Sequence, residues 1–161
     1  MKKLIAIAAL MLSIGVSAFA QRMNVPYVSA GVITHVASGN FNDVGGDVAF
    51  GFRNYNRQAL VSFTYGGEVL GFVAPGINTS TSFGLYAIPE IGVAFGPSGF
   101  KFYPHTGFMM GYGSDSRKFG VGFKDGFAFD FGKHITLDFT TYYTFNQYWT
   151  CALNFIWRFG Y

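Results

Sequence analysis

Eight charged residues hold the positions where chemistry is most readily placed: Asp47, Arg53, Glu90, Lys101, Lys124, Asp130, Asp138 and Arg158. In the strand layout given below, all eight fall on one face, the face that the phenylalanines avoid. Opposite charges confined on one face must pair or stay hydrated, because an isolated buried charge is costly. Pairing would plug a narrow interior; hydration would give a polar path for a small solute. Histidines offer a second chemistry. His35 precedes Ser38, Asp43 and Asp47, and a histidine, a hydroxyl and an acid can serve as general base, nucleophile and orienting group. Their spacing defines no motif, and a hydrated histidine at the rim is the competing reading. His134, Thr136 and Asp138 share a face and superficially suggest a triad, while His105 beside Tyr103 reads as an interior hydrogen-bonding group. No set of His, Cys and carboxylates has metal-ligand spacing, so neither a metal nor a cofactor is expected. Cys151 is the lone cysteine. It excludes an internal disulfide and reads as a small hydrophobe.

Segments of period two position these residues, and period two means β-strand. Eight can be laid out, each long enough to cross a bilayer at about 9–11 tilted residues. They run at about 25–37, 46–55, 59–72, 82–95, 100–112, 119–131, 135–145 and 151–161. The last is the clearest, with Cys151, Leu153, Phe155, Trp157, Phe159 and Tyr161 alternating to the final residue. Of 18 phenylalanines in these segments, 17 share the face opposite the charges; Phe72 alone does not. Tyrosines split, with Tyr27, Tyr86, Tyr103 and Tyr142 on the charged face. Side chains in hydrocarbon should carry no unmet polar group, whereas a packed polar interior can use a hydroxyl. The partition predicts lipid outside and a polar interior.

Three features strain the layout. Asp125 falls on the phenylalanine face, so a bulge at Lys124-Asp125-Gly126, or a loop reaching that far, is expected. Pro89 and Pro104 lie inside strands, where a bulge or a break in pairing is expected. Seven glycines of the charged face (Gly31, Gly51, Gly84, Gly92, Gly107, Gly111 and Gly122) leave room inside unless larger side chains fill it. Short turns near 55–58, 96–99 and 132–134 alternate with longer connections, among them 74–81 and 113–118; the connection near 146–148 is short. Asn78-Thr79-Ser80 matches a glycosylation triplet and reads as loop.

Composition narrows the class. Only 12% of residues are charged and 20% are aromatic, against about 25% charged in soluble domains. The first twenty residues have the form of a secretory signal peptide: Lys2 and Lys3, an apolar stretch from Leu4 to Val16, and Ala18-Phe19-Ala20 as cleavage site. The expected division is therefore 1–20 signal peptide and 21–161 barrel, a mature chain of 141 residues. It would carry 9 Lys and Arg against 8 Asp and Glu, with no basic cluster for nucleic acid. It has no run of 18 apolar residues, hence no transmembrane helix, and the remaining membrane solution is a closed barrel. The predicted fold is all-β: a closed, antiparallel, eight-stranded up-and-down transmembrane barrel.

The terminal Phe155, Trp157, Phe159 and Tyr161 resemble the C-terminal assembly signal of bacterial outer-membrane β-barrels. Over the whole mature chain the sequence resembles the small eight-stranded outer-membrane barrels, the OmpX-like and OmpA transmembrane-domain type of the porin family. That resemblance implies insertion into the Gram-negative outer membrane by the barrel-assembly machinery, a monomer, and contact with outer-membrane lipid and lipopolysaccharide. It specifies location and assembly, and activity poorly. No peptidoglycan-binding domain is expected after the last strand, and short outer loops weaken an adhesin reading. The His35 group resembles, in residue types alone, the lipid A palmitoyltransferase type of small barrel. The His134 group lies at the wrong end for a barrel-type lipid A deacylase, whose triad works outside, at the outer leaflet. The leading expectation is a non-enzymatic barrel with a structural or surface-interaction role. A narrow, low-conductance pore and an outer-leaflet lipid A-modifying enzyme are the alternatives.

Overall fold

A computed structural model of the chain describes residues 23–37, 40–75, 81–114, 118–144 and 148–159. The expected signal peptide, the residues Ser38 and Tyr161, and the triplet Asn78-Thr79-Ser80 lie outside them, as do the side chains of His35 and Asp43. Eight strands follow one another: β1 (Met23–Ala37), β2 (Asn40–Tyr55), β3 (Val61–Pro75), β4 (Thr81–Phe95), β5 (Phe100–Gly113), β6 (Lys118–Phe131), β7 (Ile135–Thr144) and β8 (Tyr148–Arg158). Each pairs antiparallel with its neighbour in sequence, and β8 returns to β1 with Tyr27 opposite Arg158 and Val36 opposite Trp149. The sheet is a closed barrel. Closure removes the two edges that an open sheet of apolar strands would expose.

Alternation decides which way each side chain points. In β4 the exposed and buried positions alternate from Thr81 through Glu90 without a slip. The outside is phenylalanine, valine and leucine on every strand from β2 to β8, with Phe50 68% exposed and Phe119 70% exposed. Polar and charged side chains are buried within. This is the reverse of a soluble barrel, whose apolar side chains fill the interior. Phe72, the exception in sequence, points inward and stacks on Tyr86 with ring centres 5.9 Å apart and planes 8° from parallel.

One end of the barrel carries the turns at 56–60, 96–99 and 132–134; it is called the turn end, and the other the loop end. Gly96 and Gly132 have φ of 121° and 53°, a backbone that a side chain disfavours, and both sit in these turns. Hydrogen bonds between turns tie this end together: Gly96 N–H donates to the Leu60 carbonyl at 2.8 Å and Gly132 N–H to the Gly99 carbonyl at 2.9 Å.

The structure departs from the sequence layout in particular places. β2 begins at Asn40, not near 46. Its Gly, Asn and Asp look like loop locally, but the end of β1 offers a free edge, and pairing continues to Ala37 opposite Asn40, with one shift between His35 and Val36. β8 starts at Tyr148, which looked like turn, and ends at Arg158; Phe159 follows it, its N–H donating to the Pro26 carbonyl at 2.8 Å. The bulge expected at Lys124-Asp125-Gly126 is absent. β6 pairs in unbroken register with β5 and β7, and Asp125 stays on the outer face. Pro89 and Pro104 cause breaks and no bulge. The β4–β5 ladder keeps one register, but its pairing lapses between Ala87 and Glu90 and again between Gly92 and Phe95. A proline has no N–H to give there.

Candidate functional site: the barrel interior

Side chains fill the interior in three layers. Toward the loop end lies an apolar cluster that includes Ile33, Leu70, Tyr86, Ile88, Met109 and Tyr142. Toward the turn end lies a smaller one of Val25, Tyr55, Ala94, Tyr103 and Ala128. Between and below them run the charges. Eight strands give an interior just wide enough for such filling.

Glu90 is the hub of the middle layer. Its Oε1 lies 3.3 Å from Arg53 Nε, and its Oε2 lies 3.2 Å from Lys124 Nζ and 3.8 Å from His105 Nδ1. Lys124 also reaches Glu68 Oε1 at 2.7 Å, and Tyr27 donates its hydroxyl to the other Glu68 oxygen at 2.7 Å. His105 Nε2 meets Asp138 Oδ1 at 2.9 Å. Seven strands thus contribute to one buried network: β2 to β6, β7 through Asp138 and β1 through Tyr27. The Arg53 guanidinium stacks 4.0 Å above the Tyr103 ring and 5.5 Å from Tyr27. Its two terminal nitrogens have no hydrogen-bond partner. The ring faces take the place of those bonds.

A second network closes the turn end. Arg158 Nη1 lies 2.6 Å from Asp130 Oδ2 and also donates to the Tyr55 hydroxyl. Its Nη2 donates to the carbonyls of Gly132 at 2.9 Å and Ile135 at 3.0 Å. Asp130 further accepts from Tyr55 at 2.7 Å and from Thr136 at 2.6 Å. A planar guanidinium with several fixed donors suits such a site better than an ammonium would. Lys101, nearby, donates instead to the backbone carbonyls of Ala59 and Gly96.

Every charge placed inward from sequence is therefore found buried: Asp47, Arg53, Glu90, Lys101, Lys124, Asp130, Asp138 and Arg158. Asp47 differs from the others in lying near the loop end, where the side-chain amide of Asn154 stands against its carboxylate, 2.7 Å from Oδ1. The site residue missed was Glu68. The signal was present, since Glu68 has the same parity as the inward positions of β3, but no charge beside it in sequence marks it as a partner for Lys124. The glycines expected to leave room are largely answered by their neighbours. A side chain at Gly51 would meet the Tyr27 ring at 2.6 Å and one at Gly92 the Tyr103 ring at 2.7 Å.

Other candidates come apart. His134 was expected to point inward with Thr136 and Asp138. It lies exposed at the turn end and stacks on Trp157 at 5.4 Å. Thr136 belongs to Asp130 and Asp138 to His105, so no triad forms. A turn residue is free of the strand's alternation, and the shared parity misled. Of the His35 group, the described side chain is that of Asp47, which is buried. Phe155, Trp157 and Phe159 are exposed on the outer face at the turn end. Among the described residues no group of three His, Cys or carboxylates is placed to hold a metal, and no helix is long and apolar enough to cross a membrane. A recess of about 440 Å³ opens near Gly46, Gly71, Phe72 and Phe83, lined by β2, β3 and β4 alone.

No family model matches the chain. No curated protein matches it either. Among solved structures it is similar to a barrel from the de novo design of transmembrane β-barrels, at 16% identity and a TM-score of 0.49, covering 86% of this chain and 98% of that one.

Proposed function

We propose that this chain is an integral outer-membrane β-barrel of the small OmpX-like or OmpA transmembrane type, non-enzymatic, with a closed interior and a structural or surface-interaction role. One observation carries the reading: an outer wall that is apolar apart from a short polar row at Asp125 surrounds an interior whose charges are buried and, Lys101 and Asp47 apart, held in ion pairs. Water would face apolar side chains around a soluble form, whereas hydrocarbon suits that wall and closure leaves no open strand edge. The secretory leader and the terminal aromatic alternation support the outer membrane as destination. The short-turn end then faces the periplasm, the loop end faces outward, and lipid and lipopolysaccharide surround a monomer. No cofactor and no nucleic acid enter this role.

Single-channel recording from the refolded mature chain in a planar bilayer tests the closed interior against a pore. We expect no steady conductance from protein shown to be folded by heat-shifted mobility. Reproducible steps that change on Glu90→Gln or Lys124→Met would replace the closed barrel with a charged pore.

The barrel-assembly machinery is the partner that the terminal residues imply. Replacing Phe159 and Tyr161 together with serine is expected to leave precursor in the periplasm, at least tenfold less folded barrel reaching the membrane. Full-level, heat-shiftable barrel in the membrane fraction would show that assembly does not read these residues.

A further inference from the structure

The outer wall contains one flaw, and the flaw has a pattern. Among the described strand residues, Asp125 is the sole charged side chain on the outer face. It stands at the middle of β6, a strand of 14 residues, between Phe123 and Phe127. Cross-strand pairing sets it opposite Thr106 on β5 and Thr141 on β7. Thr141 in turn faces Cys151 on β8, and Cys151 faces Thr34 on β1. These five side chains form one continuous row across five neighbouring strands. The remaining described non-aromatic polar side chains of that face, Asn24, Asn54 and Thr81, sit at strand ends.

Within the row the hydrogen bonding is partial. Thr106 donates its hydroxyl to Asp125 Oδ1 at 2.6 Å, and Thr141 donates to the Asp125 backbone carbonyl at 3.2 Å. Thr34 Oγ1 is shielded and has no hydrogen-bond partner. Asp125 itself remains exposed. A carboxyl facing hydrocarbon at mid-depth is unfavourable unless a donor reaches it, and polar side chains at that depth are what hold membrane segments together.

We propose that the row Thr34, Cys151, Thr141, Asp125 and Thr106 is a docking stripe for another membrane-embedded protein segment that presents a lysine or arginine at the depth of Asp125. The proposal rests on the membrane reading above. Charge complementarity selects the occupant. A second copy inserted in the same orientation keeps every residue at its own depth under a two-fold axis along the membrane normal. Asp125 would then meet Asp125, like against like, and the described outer strand faces offer no Lys or Arg in exchange. A lipid headgroup carries its ammonium at the rim, several residues from the middle of β6. A cation on a spanning segment reaches the carboxyl directly, and the flanking hydroxyls give it a polar edge on which to seat.

The test uses the full mature chain refolded into phosphatidylcholine vesicles. Insertion is scored first, by heat-shifted mobility and resistance to protease. Failure at that step would count against the membrane reading itself and is seen before any association is measured. Energy transfer is then followed between the labelled barrel and two labelled apolar spanning peptides, identical except for one central residue, lysine or leucine. The lysine peptide is expected to associate about 5- to 30-fold more tightly, the range of one interhelical polar contact. Asp125→Leu should fold, since its side chain points outward, and should erase that preference; Asp125→Asn should reduce it. Equal association of the two peptides, or a preference that survives Asp125→Leu, would overturn the proposal. So would Asp125-dependent energy transfer between barrels without peptide, which would assign the stripe to a second copy.

Discussion

Glu90→Ala is expected to lower folding stability by about 3–5 kcal/mol, the cost typical of removing one partner from a buried ion pair. Three cationic or histidine groups converge on this carboxylate: Arg53, Lys124 and His105. Lys124 retains Glu68 after the change. Arg53 retains no carboxylate within reach among the described residues, and its guanidinium stays locked between Tyr103 and Tyr27. A buried, uncompensated guanidinium is the main penalty. The same logic predicts strong non-additivity. Arg53→Met in the Glu90→Ala background should recover part of the loss, because it removes the stranded charge and keeps a side chain of similar length. Urea unfolding of the refolded barrel in detergent micelles measures both. An unchanged midpoint for Glu90→Ala would mean that Arg53 is hydrated in the native state and that the interior is open to water.

Arg158→Ala is expected to have a comparable effect, again about 3–5 kcal/mol, by a different route. Arg158 lies 1% exposed at the end of β8. It binds Asp130 and Tyr55 through one nitrogen and the Gly132 and Ile135 carbonyls through the other. It therefore ties the last strand to the β6–β7 turn and to β2. Truncation strands Asp130 and two carbonyls at once. Arg158→Lys should fall between wild type and alanine, since an ammonium keeps the charge but cannot hold all four acceptors in one plane. If the lysine and alanine variants unfold at the same midpoint, the forked geometry contributes nothing and charge alone matters. If neither differs from wild type, Arg158 is solvated at the rim.

Much of this barrel was legible in the sequence, and the reason is the simplicity of the rule. A side-chain period of two, with lipid on one side, places Phe50, Phe102, Phe127 and Leu153 outside and Arg53, Lys101 and Asp138 inside whatever the register. Parity needs no tertiary information. Strand ends do need it: Asn40 to Gly45 and Tyr148 read as turn, and became strand because β1 and β7 supply partners for them. The ion pairs were illegible for a similar reason. Lys124 and Glu68 meet across the lumen although 56 residues separate them; which inward charges meet is fixed by shear and strand tilt, and local sequence does not encode these. Asp125 is the instructive case. It looked like an error in the layout, to be repaired by a bulge, because a carboxylate on a phenylalanine face violates the rule. The register shows no bulge, and the violation is real. A position where local reasoning fails cleanly is where function is most economically sought.

The central claim is that the phenylalanine wall faces lipid, and the two tryptophans of the described chain test it most directly. Trp149 stands on the outer face at the loop end and Trp157 on the outer face at the turn end; both are exposed. Each can be isolated by replacing the other with phenylalanine, and its fluorescence quenched by phospholipids brominated at successive depths along the acyl chain. The barrel reading predicts that both are quenched from within the bilayer, most strongly by bromines near the headgroups, as expected of an aromatic belt at each interface. Tryptophans that ignore brominated lipid and respond instead to aqueous iodide would contradict it, and would return this wall to water.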